Sequence, residues 1–146
     1  MADYCSTSDL IKIRPSILEL GVTDWSDQIE EANSIIDRAI EVRWYRRVAE
    51  NNDVDWRATT FDRDKLASSD TQLTRLASYK TLELCFMYLM KHIKDDAFEN
   101  ERSLFSKMYK EELQEVLISG IDYDWDDDDL SSDEIKIPRI RRLMRA

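Results

Sequence analysis

The sequence predicts an all-α fold: a small bundle of three long helices, with short N-terminal helical turns, an acidic loop and an extended C-terminal tail. The 146 residues include only two glycines and two prolines, whereas β-hairpins and phosphate-binding loops need glycine for positive φ angles. Three segments carry apolar residues at spacings of three and four, the repeat of an amphipathic helix. The lack of a glycine-rich motif also excludes a Rossmann or P-loop nucleotide site.

The composition indicates one globular domain. Apolar residues make up 42% of the chain and charged residues 36%, which fits neither a disordered chain nor a membrane protein. No run of 18 apolar residues occurs, and the N-terminus lacks the pattern of a secretory signal, so we expect no membrane contact. Cys5 and Cys85 lie far apart in sequence and indicate no disulfide framework, as is typical of a protein made in the cytoplasm.

The N-terminal third predicts one or two short helical turns and then a long helix. The short turns fall over residues 8–20, with Ser8 as a suitable N-cap. The long helix is predicted over residues 25–50, capped by Thr23 or Asp24. Its buried stripe is Trp25, Ile29, Ala32, Ile36, Ile40, Trp44 and Val48. Arginines near its far end suit the negative end of the helix dipole.

The middle of the chain predicts a polar connection and a second long helix. The connection covers residues 51–69, with Phe61 and Leu66 as apolar tethers. The helix is predicted over residues 69–94. One of its apolar faces holds Leu73, Leu76, Ala77, Leu84, Met87 and Tyr88, and the other holds Leu82, Cys85, Phe86, Leu89 and Ile93. A helix that is apolar nearly all round is buried on several sides, so we expect it to be central.

A third long helix is predicted over residues 100–118. Its expected buried stripe is Leu104, Phe105, Met108, Leu113, Val116 and Leu117. Gly120 stands just beyond the last turn, where a positive φ angle commonly ends a helix. The connection from the second helix is short, so these two helices should pack as an antiparallel pair.

The composition changes abruptly after the third helix. Residues 122–134 contain eight acids, and residues 135–146 contain five bases and no acid. The chain therefore divides into a helical bundle domain over residues 1–121, an acidic loop over 122–134 and a C-terminal tail over 135–146. The bundle domain is itself net acidic.

The acidic loop contains candidate metal ligands. Asp122, Asp124 and Asp126 alternate as the first ligands of an EF-hand loop do, and Glu134 falls near the closing position. The twelfth position is Asp133, however, and the turn glycine of the EF-hand is missing. Two interpretations stay open: a Ca²⁺ site formed by these residues, or a solvated acidic loop that holds divalent ions loosely. We expect no other cofactor.

The C-terminal tail alternates basic and apolar residues, which suits docking into a groove on a partner. The candidate docking residues are Ile137, Arg139, Ile140, Arg141, Arg142, Leu143 and Arg145. Two alternatives are that the tail folds back onto its own acidic body, or that it contacts DNA phosphates.

The sequence contains no combination of residues typical of an enzyme. His92 is the only histidine and lies at a predicted helix end, with no nucleophile signature around it. We therefore expect a protein that is not an enzyme. The net charge of −10 would repel DNA, which disfavours general nucleic-acid binding.

Three segments combine into a family pattern: IIDRAIEVRWYRRV, LASYKTLELCFMYL and SKMYKEELQEVLISGIDYDWDDDDLSSDE. Together with the order of elements over residues 8–134, they resemble the head–tail connector adaptor (neck) proteins of tailed bacteriophages. In that family an acidic D-x-D-x-D segment commonly follows the last core helix, often with a glycine that this chain lacks.

The resemblance implies a structural virion protein. Such adaptors are made in the host cytoplasm and form a ring, commonly of twelve copies, in the neck between capsid and tail. The C-terminal segment typically reaches the portal protein, which assigns residues 135–146 as the portal-docking element. The other side of the ring receives the downstream neck or tail protein, and DNA passes through the channel without specific binding.

Two other functions fit the same residues. An acidic DNA mimic would occupy a basic nuclease or repressor through charges spaced like phosphates. A calcium-responsive interaction module would use the acidic loop as its sensor.

Overall fold

The all-α prediction is confirmed by a computed structural model, which describes residues 3–66, 71–93 and 95–125. The α-helices are α1 (Thr7–Ile13), α2 (Ser26–Ile40), α3 (Arg46–Asn51), α4 (Thr71–His92) and α5 (Asp96–Ser119). A π-helical segment, Glu41–Tyr45, joins α2 to α3, and short 3₁₀ turns occur at Ile17–Glu19 and Arg63–Lys65. Below, these elements and the residues packed on them are called the helical body.

The N-cap of helix α1 lies two residues before the predicted one. Ser6, not Ser8, is the N-cap, and its backbone N–H donates to the Asp9 carboxylate at 2.8 Å. Ser6 and Asp9 form a capping box, in which each side chain pairs with the backbone N–H of the other residue. A capping box needs an acceptor side chain three residues after the cap. Asp9 stands three residues after Ser6, whereas the residue three after Ser8 is Ile11. Gly21 follows the 3₁₀ turn with a φ of 99°, as expected for a residue beyond a helix end.

The first long helix runs without a break from Ser26 to Asn51, close to the predicted bounds, but it contains the π segment that the sequence did not reveal. Its N-cap is Trp25, one residue after the predicted candidates Thr23 and Asp24, although the Asp24 carboxylate accepts from the Ser26 N–H at 3.0 Å. The residues Ile36, Ile40, Trp44 and Val48 recur every four positions and are all buried. A regular helix of 3.6 residues per turn would rotate such a stripe away from the core. The wider π turn corrects this drift and keeps Trp44 and Val48 facing inward.

Helix α4 occupies the centre, as predicted, and packs against α1, α2 and α5. Its fully buried side chains include Leu73, Leu76, Leu82, Phe86 and Leu89. The predicted faces are incorrect at Met87, Tyr88 and Ile93, which are 36%, 38% and 43% exposed. These residues lie in the last two turns and just beyond the helix, where fewer elements cover it.

Among the described residues, no helix combines the length and the apolar composition that a membrane span requires.

Helix α5 begins one turn earlier than predicted, because the Asp95 carboxylate accepts from the Ala97 N–H at 3.0 Å and caps it. The predicted burial of Leu104 is wrong, since Leu104 is 52% exposed. The buried stripe instead contains Phe98, Phe105, Tyr109, Leu113, Val116 and Leu117. Phe105 stacks on Phe86 of α4, with ring centroids 5.8 Å apart. The short connection between α4 and α5 and the contact between Phe86 and Phe105 are typical of two helices that pack as an antiparallel pair.

The helical body continues past its predicted end at residue 121. Gly120 ends α5 with a φ of 88°, and its N–H donates to the Val116 carbonyl at 3.0 Å. Ile121 and Tyr123 are then buried at 1% and 3% exposure. Residues 122–125, which the sequence assigned to the acidic loop, therefore pack on the helices. The reason is that two aromatic residues alternate with the aspartates in this segment.

Candidate functional site

Five aromatic side chains form a cluster where the described chain ends. They are Trp44, Tyr45, Phe61, Tyr123 and Trp125, and we call them the aromatic cluster. Tyr123 is at its centre, with ring centroids 5.5 Å from Phe61, 5.6 Å from Tyr45 and 6.1 Å from Trp44. The indole of Trp125 stacks on Tyr45 and also lies 5.7 Å from Trp44. Contacts of this kind each contribute about 0.5–1.5 kcal/mol beyond the burial of apolar area.

Three parts of the chain build the cluster. Trp44 and Tyr45 come from the π segment, which places adjacent residues on two buried sides of the helix. Phe61 comes from the connection before α4. Tyr123 and Trp125 come from the segment after α5. The cluster therefore ties the C-terminal segment to residues about 60 to 80 positions earlier in the chain.

Backbone hydrogen bonds hold the same segment in place. Tyr123 forms an isolated antiparallel β-bridge with Leu66, and the Asp124 N–H donates to the Lys65 carbonyl at 2.8 Å. The Tyr123 hydroxyl accepts from the Asp62 N–H at 3.1 Å. Burial raises the pKa of the Tyr123 phenol, so it stays neutral at physiological pH. These bonds hold residues 123 and 124 against the connection before α4.

The Tyr45 hydroxyl adds a further tie between the π segment and the connection. It donates to the Thr59 carbonyl at 2.6 Å. Burial raises the pKa of Tyr45, which keeps this group in the neutral form that can donate. The connection is thus held at Thr59, at Phe61 and at Leu66. The predicted tethering role of Phe61 and Leu66 is confirmed, since Phe61 is half-buried and Leu66 is buried.

The predicted metal ligands fall at the edge of the described chain. Asp122 is half-buried and Asp124 is only 4% exposed. Asp126 and Glu134 lie outside the described residues. Within residues 3–66, 71–93 and 95–125, no three side chains of His, Cys, Asp or Glu come together as a metal site. The burial of Asp124 does not suit a freely solvated loop at this point, and the Ca²⁺ site stays a prediction.

A set of hydrogen-bonded polar side chains joins the N-terminal residues, α2 and the connection before α4. The Arg63 guanidinium donates to both oxygens of the Asp37 carboxylate, and the Tyr4 hydroxyl donates to the same group. The guanidinium carbon also lies 4.9 Å from the centre of the Tyr4 ring. Burial and the neighbouring carboxylate raise the pKa of Tyr4. Burial alone would lower the pKa of Arg63, but the hydrogen bond to Asp37, together with the charges of Asp37, Tyr4 and Asp3, outweighs burial and raises that pKa.

Arginines form an exposed basic surface on the C-terminal half of the first long helix. Arg43, Arg46 and Arg47 line it with Trp56. The guanidinium carbons of Arg46 and Arg57 lie 4.7 and 4.6 Å from the centre of the Trp56 ring. We call Arg43, Arg46, Arg47 and Arg57, together with Trp56, the arginine face. The sequence predicted only that arginines at this end of the helix suit the helix dipole.

The reactive side chains considered in the sequence lie elsewhere. His92 ends α4, as predicted, with its ring 4.2 Å from that of Tyr88. Cys5 and Cys85 are both buried free thiols, and burial raises the pKa of each. A raised pKa disfavours the thiolate, which is the nucleophilic form of cysteine. The expectation that the chain is not an enzyme stays a prediction.

The predicted docking residues of the tail, from Ile137 to Arg145, all lie outside the described residues. Trp125, the last described residue before them, is held in the aromatic cluster. Sequence reasoning missed this cluster. A usable signal was present, because Tyr123 and Trp125 alternate with aspartates at a period of two, the pattern of an extended segment with one buried face.

The chain was compared with protein-family models, curated proteins and solved structures. No protein-family model matches it. Neither a curated protein nor a solved structure is significantly similar to it.

Proposed function

We propose that this chain is a structural virion protein, a head–tail connector adaptor that forms a ring between the portal and the downstream neck or tail proteins. One structural observation supports the proposal more than any other. Trp125, the last described residue before the acidic segment, is fixed on the helical body, because it is stacked on Tyr45 and its neighbour Asp124 is bonded to Lys65. All the predicted docking residues follow that point.

The length of chain beyond this point suits an arm that reaches another protein. Nine residues separate Trp125 from Ile135, where the basic and apolar tail starts. A chain of that length spans up to about 30 Å when extended. The tail can therefore reach past its own subunit to a partner, and its arginines and isoleucines supply both charge and apolar anchors. In the proposed assembly that partner is the portal.

Ring formation needs contacts between unlike surfaces of neighbouring copies. The described chain exposes large apolar side chains on several faces of the helical body. They are Ile11, Val42, Met87, Tyr88, Ile93, Leu104 and Ile118. Because they belong to different helices, they support contacts between different patches, as a ring requires. The net charge of −10 would let DNA pass through the channel without adhering to it.

The proposal is tested by purifying the tagged full-length chain from its native source and identifying bound proteins by mass spectrometry. We expect portal and downstream neck proteins, with many copies of this chain for each portal ring. A chain ending at residue 134 should retain its thermal melt and lose the portal. A full-length variant with Arg139, Arg141, Arg142 and Arg145 changed to Gln separates loss of charge from loss of the whole tail.

Two outcomes would contradict the proposal. Recovery of a single basic nuclease or repressor instead of portal would favour the DNA-mimic function. Recovery of portal by the chain ending at residue 134 would show that the tail is not the docking element.

A further inference from the structure

The segment that precedes α1 lies along the central helix α4. The Thr74 hydroxyl donates to the Tyr4 carbonyl at 3.1 Å, and the Tyr4 N–H donates to the Asn33 side chain of α2 at 3.2 Å. One residue later, the Cys5 thiol lies 3.5 Å from the Thr81 hydroxyl, and the two groups share a hydrogen bond. The segment thus places Cys5 on the face of α4 that contains Thr81.

The same face of α4 contains the second cysteine of the chain. Cys85 follows Thr81 by four residues, and side chains at this spacing are neighbours on a helix, with Cβ atoms about 5–6 Å apart. Helical side chains also lean toward the N-terminus of their helix, over the preceding turn. This tilt directs the Cys85 thiol toward the turn of Thr81, where the Cys5 thiol lies.

The two thiols are neighbours in the buried core. Cys5 is 4% exposed and Cys85 is 0% exposed, and both are free thiols. Burial raises the pKa of each, and the charge of Cys5 raises the pKa of Cys85 further, as expected for sulfur atoms that lie close together. The fold therefore brings together the only two cysteines of the chain, from positions 5 and 85.

We propose that Cys5 and Cys85 are a redox-sensitive pair that forms a reversible disulfide with a small-molecule disulfide, such as oxidised glutathione, as the oxidant. A disulfide needs Cα atoms about 4.4–6.8 Å apart. Cys5 precedes α1 and lies outside any helix, so its backbone can adjust to this spacing while α4 holds Cys85. The bond joins the N-terminal segment covalently to the central helix.

The exchange takes two steps that conserve atoms and electrons. Cys5 reacts first, because local opening of the short N-terminal segment exposes it, whereas Cys85 lies within α4. The Cys5 thiolate attacks one sulfur of oxidised glutathione, forms a mixed disulfide and releases the first glutathione. The Cys85 thiolate then attacks the Cys5 sulfur and releases the second glutathione. The two protein thiols lose two protons and two electrons, and the two glutathione molecules gain them.

The disulfide closes a loop that contains α1, α2, α3 and the first half of α4. A cross-link over so long a loop restricts the unfolded chain and stabilises the folded one. Thiols stay reduced in the cytoplasm, so we expect the bond to form when the chain meets an oxidising environment. The proposal does not depend on the connector function, since both thiols belong to one chain.

The effective concentration of the two thiols tests the proposal. The full-length chain is equilibrated with set ratios of oxidised to reduced glutathione, in native buffer and in concentrated urea. Equilibrium is approached both from the reduced chain and from the chain oxidised in urea, because buried thiols with raised pKa values exchange slowly. After acid quenching and alkylation, mass spectrometry counts the free, mixed-disulfide and internal-disulfide forms.

We expect an effective concentration at least about 10-fold higher in native buffer than in urea, because the fold and a compatible disulfide stabilise each other equally. The oxidised chain should also have a higher Tm than the reduced chain. The matched control combines Cys85→Ser with Met87→Cys. Met87 is 36% exposed and two residues further along α4, so the loop length is almost unchanged but the thiol leaves the Thr81 face.

The control pair should form its disulfide in urea as readily as the native pair does, and should lose the gain in native buffer. Three results would overturn the proposal: equal effective concentrations of the native pair in buffer and in urea, a lower Tm for the oxidised chain, or a native chain that stops at the mixed disulfide with glutathione. Disulfides formed mainly between two molecules would overturn it as well.

Discussion

The indole of Trp125 stacks on the phenol ring of Tyr45, with ring centroids 5.4 Å apart and ring planes inclined by 9°. This contact closes the aromatic cluster and extends the helical body at least four residues beyond residue 121. The acidic segment and the tail follow it in the sequence. The stability of the fold and the attachment of the residues that precede the proposed docking arm therefore depend on the same pair of residues.

Truncation before and after this contact should destabilise the protein to very different degrees. A chain that ends at Trp125 keeps the cluster, so its free energy of unfolding should fall by no more than about 1 kcal/mol. A chain that ends at Gly120 loses Ile121, Tyr123 and Trp125, and should be destabilised by at least about 3–5 kcal/mol. Urea denaturation of both chains checks this. Equal stability of the two chains would mean that the cluster contributes nothing.

Substitutions in the antiparallel pair should separate buried from exposed positions. Phe86 is fully buried and stacks on Phe105, so Phe86→Ala should cost about 3–5 kcal/mol. Leu104, on the helix that carries Phe105, is 52% exposed, and Leu104→Ala should change stability by less than about 0.5 kcal/mol. Thermal melts of the monomer measure both. A large loss from Leu104→Ala would restore the burial that the sequence predicted.

The ion pair between Arg63 and Asp37 should be worth more than a surface pair. Its side chains are 13% and 26% exposed, and Arg63 also contacts the Tyr4 ring. Arg63→Ala leaves Asp37 partly buried without its cation, and should cost about 1–3 kcal/mol. The matched control is Lys107→Ala, which breaks an exposed pair with Glu111 and should cost less than about 0.5 kcal/mol. Similar losses for the two variants, measured by urea denaturation, would contradict this.

Alkaline pH should destabilise the protein through its buried tyrosines. Burial raises the pKa of Tyr4, Tyr45, Tyr109 and Tyr123 above the ordinary value of 10.0. Above about pH 10 the unfolded chain releases these phenolic protons while the folded chain retains them. The contribution of these tyrosines to the free energy of unfolding is therefore constant below that pH and falls as the pH rises further.

Urea denaturation at about pH 8 and about pH 11 measures this loss. Tyr123→Phe removes one of the titrating phenols and should make the alkaline loss smaller. An equal alkaline loss in Tyr123→Phe and the parent chain would show that Tyr123 does not contribute to it.

Helix positions were largely predictable because their signals are local. The apolar repeat of the first long helix and the composition of α4 are visible within a few turns of sequence, and the caps are short-range patterns. The errors at Ser8, Leu104 and residue 121 have one origin. At each of these positions the sequence offers two nearby candidates for the cap, the buried side chain or the boundary. Which candidate is used depends on a contact with another part of the chain, and the sequence alone does not place that contact.

The sequence by itself determined the helical class, the centrality of α4 and the sharp charge division between the acidic and basic C-terminal segments. Only the tertiary structure decided that Tyr123 and Trp125 belong to the core, because their burial depends on Tyr45 and Phe61, about 60 to 80 residues away. It also decided that Trp56 lies against Arg46 and Arg57. Contacts between distant segments depend on how the helices pack, and no local repeat encodes that packing.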